Sequence, residues 1–174
     1  MKRFLYPFLA GLLLLTFQAT LLPSLLIHQI QPDFVLILIL FLGFSYPTLL
    51  GGLIAFSLGF LLDLFSGNAF GLYTFTRPLI FFVAQLFRSH FYWKGFSFQF
   101  LFVFIFALLE GGLILLLVSG LNPSPFRNLY SSVINDLLPQ SIVTGLITPI
   151  LFPLFEKGSL FLVTKLQVAI KRQG

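Results

Sequence analysis

The sequence predicts an all-α integral membrane protein that crosses the bilayer six times. Of its 174 residues, 58% are hydrophobic and only 9% are charged, and the mean hydropathy is +1.04. Soluble domains carry about 25% charged residues, so this chain has too little polar surface to cover a globule in water. Its apolar residues form runs separated by polar, glycine or proline breaks, which predicts separate membrane-spanning helices.

We place the six spans in one transmembrane domain, followed by an amphipathic tail that is predicted to lie on an anionic cytoplasmic leaflet. The first run follows Lys2 and Arg3, as in a secretory signal, but its apolar body is longer than the roughly 7–15 residues of a signal-peptide core. We therefore expect it to remain as the first helix. The predicted spans are 4–27, 33–46, 48–64, 71–87, 96–119 and 136–156, and the tail is 158–174.

The second span starts at Gln31-Pro32-Asp33. Proline is tolerated in the first turn of a helix, and an aspartate there favours the positive end of the helix dipole. The second and third spans are short for a hydrocarbon core of about 30 Å, and the break at Ser45–Pro47 predicts a tight helical hairpin between them. Gln18, in the first span, has two interpretations: it forms a hydrogen bond between helices, or it is an amide that the lipid environment tolerates.

Asp63 is a carboxylate at the end of the third apolar run. A charged side chain at mid-membrane costs roughly 2.5–3.5 kcal/mol, so this position needs a physical reason. One interpretation is a cap, in which Asp63 accepts backbone N–H groups of the Ser66–Asn68 turn. A second is contact with a partner or with a ligand in a cavity, and a third is catalysis.

Arg77 and Glu110 lie inside the fourth and fifth predicted spans. Arg77 is about two turns inside its span, where it either snorkels to the outer interface or pairs with Asp63 across the turn. Glu110 lies deep in its span and is either protonated or paired within the bundle. Both residues are therefore candidates for structural pairing or for functional use.

The chain lacks the residue sets that common catalytic and metal sites need. It has no cysteine and only two histidines, which fall in different predicted loops, so we expect no disulfide, metal site or cofactor. It has no nucleotide-binding motif and no nucleophile–base pair. An intramembrane enzyme built on Asp63 and Glu110 would need a spacing that brings the two carboxylates together, and the sequence has none. We therefore predict no enzymatic activity.

The basic residues predict the orientation in the membrane. With a cytoplasmic start, most of the ten basic residues lie on the cytoplasmic side, as the positive-inside rule requires. Both termini are then cytoplasmic, and the net charge of +5 reflects orientation and does not predict nucleic-acid binding. The basic residues on that side are Lys2, Arg3, Arg88, Lys94, Lys157, Lys165, Lys171 and Arg172.

Two motifs, taken with the length, the six spans and the basic tail, resemble the MreD family of rod shape-determining proteins. They are Gln31-Pro32-Asp33 and Gly59-x-x-x-Asp63-x-x-Ser66-Gly67-x-x-x-Gly71. The resemblance implies a non-enzymatic subunit of the bacterial cell-elongation complex in the inner membrane, which binds MreC and helps control peptidoglycan synthesis and cell shape. It also implies joint action with MreB, RodA and a penicillin-binding transpeptidase.

The resemblance leaves one alternative function open. MreD proteins are similar in architecture to the substrate-binding subunits of energy-coupling-factor transporters, so a six-helix fold with an outward-facing cavity is implied. The alternative is a substrate-binding membrane subunit of a small-molecule, vitamin-type transporter. Thermal stabilisation by a vitamin-like ligand would favour the carrier, whereas stabilisation by co-expressed MreC would favour the scaffold.

Small residues on the third span have two interpretations. Gly51, Gly52, Ala55 and Gly59 either form a groove for a partner's transmembrane helix or serve internal packing. Membrane lipids are the other expected contact. The residues that we expect to face a partner or a cavity are Asp33, Gly59, Asp63, Ser66, Gly67, Asn68, Gly71, Arg77 and Glu110.

Overall fold

The computed structural model describes residues 2–20, 31–66, 71–88, 95–121 and 133–171. These residues are helical almost throughout, and none of them lies in a β-strand. A π-helical turn, Val133–Leu137, leads into the last helix. The α-helices of this part of the chain are α1 Lys2–Thr20, α2 Phe34–Ser45, α3 Thr48–Ser66, α4 Leu72–Leu86, α5 Phe96–Leu121 and α6 Leu138–Lys171.

Three stretches are long and apolar enough to cross a membrane, namely Thr48–Ser66, Phe96–Gly120 and Val133–Gly158. The other three apolar helices of the described chain are shorter. The predicted all-α membrane fold is therefore confirmed, with six helices of unequal length. Residues 21–27 of the first predicted span lie outside the described residues.

The last helix differs from the prediction. We predicted a span ending near residue 156 and a separate tail from 158, but α6 continues unbroken through Gly158 to Lys171. A glycine inside a helix costs only about 1 kcal/mol relative to alanine. Gly158 lies directly against the side chain of Tyr6 on α1, where a Cβ atom would collide with the phenol. This glycine therefore serves close packing between α1 and α6 and does not end the helix.

The short helix α2 is the centre of the bundle. It packs against each of the other five helices, and its residues from Val35 to Gly43 are all buried. A helix that is apolar on every side belongs in a core. Its 12 residues cover about 18 Å at 1.5 Å per residue, less than the roughly 30 Å of a bilayer core. Pro32 and Asp33, just before α2, are buried, so the start of α2 lies within the bundle.

Aromatic rings join α2 to the helices around it. Phe41 meets Phe152 and Phe155 of α6 at ring-centroid distances of 5.8 and 5.6 Å, and Phe44 meets Phe102 of α5 edge-on at 5.1 Å. Such pairs contribute about 0.5–1.5 kcal/mol beyond the apolar area that they bury. The phenylalanines at this end of α2 therefore help to hold α5 and α6 against the central helix.

The small residues of α3 pack inside the chain. Gly51 lies against the ring of Phe81 on α4, and a Cβ atom on Gly59 would collide with the backbone carbonyl of Tyr73. Ala55, between them, is fully buried. The groove that we predicted for a partner's helix is thus filled by α4 of the same chain. Among the described helices, α3 and α4 form the most extensive contact.

Replacing Gly59 with alanine tests this close approach. Its Cβ atom would also lie only 2.9 Å from the Tyr73 carbonyl carbon and 3.1 Å from Thr74 Cα, and backbone atoms cannot move aside cheaply. We expect Gly59→Ala to lower the free energy of unfolding in detergent by about 1–3 kcal/mol. Gly112→Ala on α5 is the matched control, since no heavy atom of the described residues lies within 4 Å of its Cβ position, apart from the chain neighbours and backbone of α5 itself. Equal stability of the two variants would contradict the packing described here.

Candidate functional site

Asp33 caps the start of the central helix. Its Oδ1 atom accepts the backbone N–H of Leu36 at 2.9 Å, which is the bond that an N-cap residue makes to an otherwise unpaired donor. The backbone N–H of Asp33 itself donates to Thr144 Oγ1 on α6 at 3.1 Å. Asp33 is buried, so the cap lies inside the bundle.

A second helix helps to hold the same terminus. The backbone N–H of Phe34 donates to Gln18 Oε1 on α1 at 3.2 Å. Gln18 therefore makes the interhelical hydrogen bond that was one of its two predicted roles. Thr144 can accept from Asp33 because its own hydroxyl donates to the Gln140 carbonyl at 2.7 Å. Side chains from α1 and α6 thus satisfy backbone donors that begin α2.

Arg77 joins this helix start to α4 and α5. Its Nη2 atom forms an ion pair with Asp33 Oδ2, and its Nε atom lies 2.9 Å from Glu110 Oε1. The guanidinium carbon also lies 5.4 Å from the ring centre of Tyr73, within the range of a cation–π contact. We call Asp33, Arg77 and Glu110 the ion cluster.

The side chains of the ion cluster are almost inaccessible to solvent. Arg77 is 1% exposed and Glu110 is 3% exposed. Burying one such charge alone would cost several kcal/mol, and pairing with opposite charges offsets much of that cost. Glu110 has a further polar neighbour, since the hydroxyl of Thr76 donates to its Oε1 atom at 3.5 Å. The cluster thereby connects three helices that are separate in sequence.

Both predicted roles of Arg77 are wrong. The side chain does not snorkel, because it is fully buried, and its partners are Asp33 and Glu110 instead of Asp63. One sequence signal favours this placement. Arg77 shares a helical spacing with Ile80, Phe81 and Ala84, which marks the buried face of an amphipathic helix.

Asp63 caps the start of α4. Its carboxylate accepts the backbone N–H groups of Gly71 at 3.1 Å, Tyr73 at 2.9 Å and Thr74 at 2.8 Å, together with the Thr74 hydroxyl. The capping interpretation is therefore the right one, and the described donors lie at the start of the next helix. Gly67 and Asn68 lie outside the described residues.

The motif Gly59-x-x-x-Asp63 acquires a physical meaning from this geometry. Residues four apart lie on one face of a helix, and here both meet the start of α4. Gly59 lets the two backbones approach, while Asp63 accepts the donors that this approach brings close. Gly71 has a φ of +100°, a conformation that glycine adopts without strain.

Two cavities adjoin the ion cluster, with volumes of about 250 and 270 Å³. Asp33, Tyr73 and Gln140 line both of them, so the cavities lie on either side of the same residues. The first cavity also has Glu110, Asp136, Ser141 and Thr144 among its polar walls. The second has Gln18, Gln31, Ser66 and Arg77. Among the expected cavity-facing residues, Asp33, Ser66, Arg77 and Glu110 thus line a cavity, whereas Gly59 and Asp63 serve helix packing.

The predicted site included no residue of α6. Gln140, Thr144 and Thr148 are spaced four apart, and the two threonines are fully buried. This spacing places them on one helical face, a polar stripe that the sequence contains and that would have indicated an inward-facing role. Among the described residues, no three histidine, cysteine, aspartate or glutamate side chains come together as a metal site.

A comparison with protein families identifies the chain. The family model described as rod shape-determining protein MreD matches residues 2–161, which is most of the sequence. The chain belongs to the MreD family. The residues of both motifs that resembled the family fall inside the matched range.

Two further comparisons give no match. No curated protein and no solved structure is significantly similar to the chain. The expected similarity to the substrate-binding subunits of energy-coupling-factor transporters therefore stays a prediction for this MreD family member.

Asp63 variants test the cap. We expect Asp63→Ala to cost about 2–3 kcal/mol of unfolding free energy, because it leaves several donors without an acceptor. Asp63→Asn should fall between wild type and Asp63→Ala, since both carboxylate oxygens are in use and asparagine offers only one. Denaturation in mild detergent measures both. An Asp63→Ala variant as stable as wild type would exclude the cap.

A double-mutant cycle tests the ion cluster. Arg77→Met should cost about 3–5 kcal/mol, because it leaves two buried carboxylates unpaired. Asp33→Asn keeps a capping oxygen. The double variant Arg77→Met/Asp33→Asn should lose less unfolding free energy than the sum of the two single-variant losses, by about 1 kcal/mol or more. Arg77→Met with Ser57→Ala is the control pair, because the Ser57 hydroxyl donates to the Leu53 carbonyl of its own helix, and it should be additive to within about 0.5 kcal/mol. Additivity in the first pair would reject the coupling.

Proposed function

We propose that this chain is a non-enzymatic inner-membrane subunit of the bacterial cell-elongation complex. In this role it binds MreC and helps control peptidoglycan synthesis and cell shape, together with MreB, RodA and a penicillin-binding transpeptidase. Membership of the MreD family, over residues 2–161, carries the proposal. We also propose cytoplasmic termini, on the basis of the basic residues.

The use of the buried polar groups supports a role as a scaffold. Asp63 accepts four hydrogen bonds that fix the start of α4, and Asp33 caps α2. Groups committed to such bonds hold helices in place and are poorly suited to act as a nucleophile or as a general base. A rigid bundle of this kind is suited to presenting its membrane-facing surface to partners.

The described outer surfaces of the helices are apolar. The outward-facing residues of α3 include Leu49, Leu53 and Phe56, and those of α5 include Leu101 and Ile105. Such surfaces suit lipid and also the transmembrane helix of another protein. Contact with MreC within the bilayer therefore needs no additional folded domain.

We place the MreC contact on α5. It is the least buried of the three long helices, so more of its surface is free for another helix. Gly112 on α5 has open space around its Cβ position, and a small residue on an exposed face lets a second backbone approach closely. Leu109 and Leu116 flank this glycine and are exposed.

Site-specific crosslinking tests the contact. The chain has no cysteine, so single cysteines can be introduced at four leucines of equal exposure, 49–51%, one on each of four helices. They are Leu9 on α1, Leu53 on α3, Leu109 on α5 and Leu146 on α6. Each variant is labelled with a photoreactive maleimide beside co-expressed MreC. We expect the α5 position to crosslink MreC several-fold more than the others.

The controls separate binding from position. Ala55 is fully buried, so a cysteine introduced there should not be labelled. Crosslinking from α1, α3 or α6 in place of α5 would keep MreC binding and refute the proposed face. No crosslink from any position, with no co-purification in detergent, would refute MreC binding itself. A depletion strain should lose its rod shape and regain it with the wild-type chain, and failure of this rescue would refute the role in cell shape.

A further inference from the structure

Arg77 has hydrogen-bonding capacity that the protein leaves unused. Among the described residues, the buried side-chain nitrogen and oxygen atoms without a hydrogen-bond partner are Nε and Nη1 of Arg77. Nε still faces Glu110 Oε1 at 2.9 Å, but Nη1 has no acceptor. A buried donor left unpaired costs about 1–3 kcal/mol, and more when it is charged. This atom therefore calls for an acceptor from outside the described chain.

The unpaired guanidinium lies at the wall of a cavity. Arg77 lines the 270 Å³ cavity, whose walls include Gln31, Gln140 and Phe65. Phe65, at the end of α3, is 61% exposed, whereas Arg77 is 1% exposed. Phe65 and Arg77 thus line one cavity, which connects the surface of the bundle with the buried Arg77 side chain and gives a small molecule a route to that side chain.

The charges around Arg77 select the kind of acceptor. Two carboxylates, Asp33 and Glu110, already face the one guanidinium. A negatively charged ligand would bring a third negative charge into a site of low dielectric, where like charges repel strongly. A positively charged ligand would be attracted by the two carboxylates, but an ammonium group has no lone pair to accept a hydrogen bond from Nη1. A neutral oxygen, such as a carbonyl, satisfies the donor without adding charge.

The other walls narrow the ligand class. Gln31 and Gln140 carry amide groups, which both donate and accept hydrogen bonds, so they complement another amide. Leu15, Leu62 and Phe65 supply an apolar wall. We propose that this cavity binds a small uncharged amide with an apolar body, whose carbonyl oxygen accepts from Arg77 Nη1.

This binding site does not depend on the MreC contact. The cavity lies among residues of α1, α3, α4 and α6 and the segment just before α2, whereas the proposed MreC surface is on the outer face of α5. The crosslinking experiment and the ligand experiment can therefore fail separately. Ordered water is the other source of an acceptor oxygen for a buried polar group, and the test must distinguish it from an amide ligand.

Three probes of nearly equal size separate the charge classes. Benzamide is neutral, benzoate is an anion and benzylamine is a cation at pH 7. Equilibrium dialysis of radiolabelled benzamide against the detergent-solubilised full chain measures its binding, and unlabelled benzoate and benzylamine are used as competitors. We expect saturable binding of one benzamide per chain, with at least tenfold weaker competition by either charged probe.

Variants separate the cavity from partition into the micelle. Gln140→Leu removes an amide from the wall and should weaken benzamide binding about tenfold. Gln31→Leu is a second wall variant, in case the first does not fold. The control is Gln85→Leu, on the same helix as Arg77 but near its other end, beside Tyr46, and it should bind as wild type.

Each outcome decides the proposal. Saturable benzamide binding that weakens in the wall variants, but not in Gln85→Leu, supports it. If unlabelled benzoate displaces labelled benzamide better than unlabelled benzamide does, the site binds anions and the proposal is overturned. If benzylamine does so, the site binds cations and the proposal is again overturned. Binding that is absent, or equal in wild type and wall variants, would also overturn the proposal and would leave ordered water as the source of the acceptor.

Discussion

The fold depends on one constraint, which is that the central helix begins inside the bundle. The first backbone N–H groups of any helix lack partners within the helix, and lipid offers no acceptors for them. Here the side chain of Asp33, with Gln18 and Thr144, supplies acceptors from within the protein. The arrangement of α1, α2 and α6 follows from that requirement.

The Asp33 carboxylate that caps α2 is buried and charged, so its charge must be paired within the bundle. Asp33 needs a cation, and Arg77 of α4 provides it. Arg77 in turn lies against Glu110 of α5, so the chain of pairings extends across the bundle. Breaking such a network at one point leaves a charge unpaired, which is far more costly than losing one exposed ion pair. The ion cluster thus couples the start of α2 to α4 and α5 at one buried point.

The two aspartates of the family-like motifs perform the same task at different helices. Asp33 caps α2, and Asp63 caps α4 from the preceding helix. Both carboxylates thus stabilise helix starts. The unused donor of Arg77 is the exception, and it lies where the bundle has room for a small molecule.

Composition and local chemistry determined the membrane class, the break between helices at Ser45–Pro47 and the role of Asp33 at a helix start, because each depends only on neighbouring residues. The partners of Arg77 could not be obtained in that way. Asp33 is 44 residues distant in sequence, and which charges meet depends on how each helix is rotated about its axis. Likewise, only the packed bundle decided that Gly59 faces α4 and that Gly158 lies within a continuous helix, since a glycine suits a close contact and a helix end equally well.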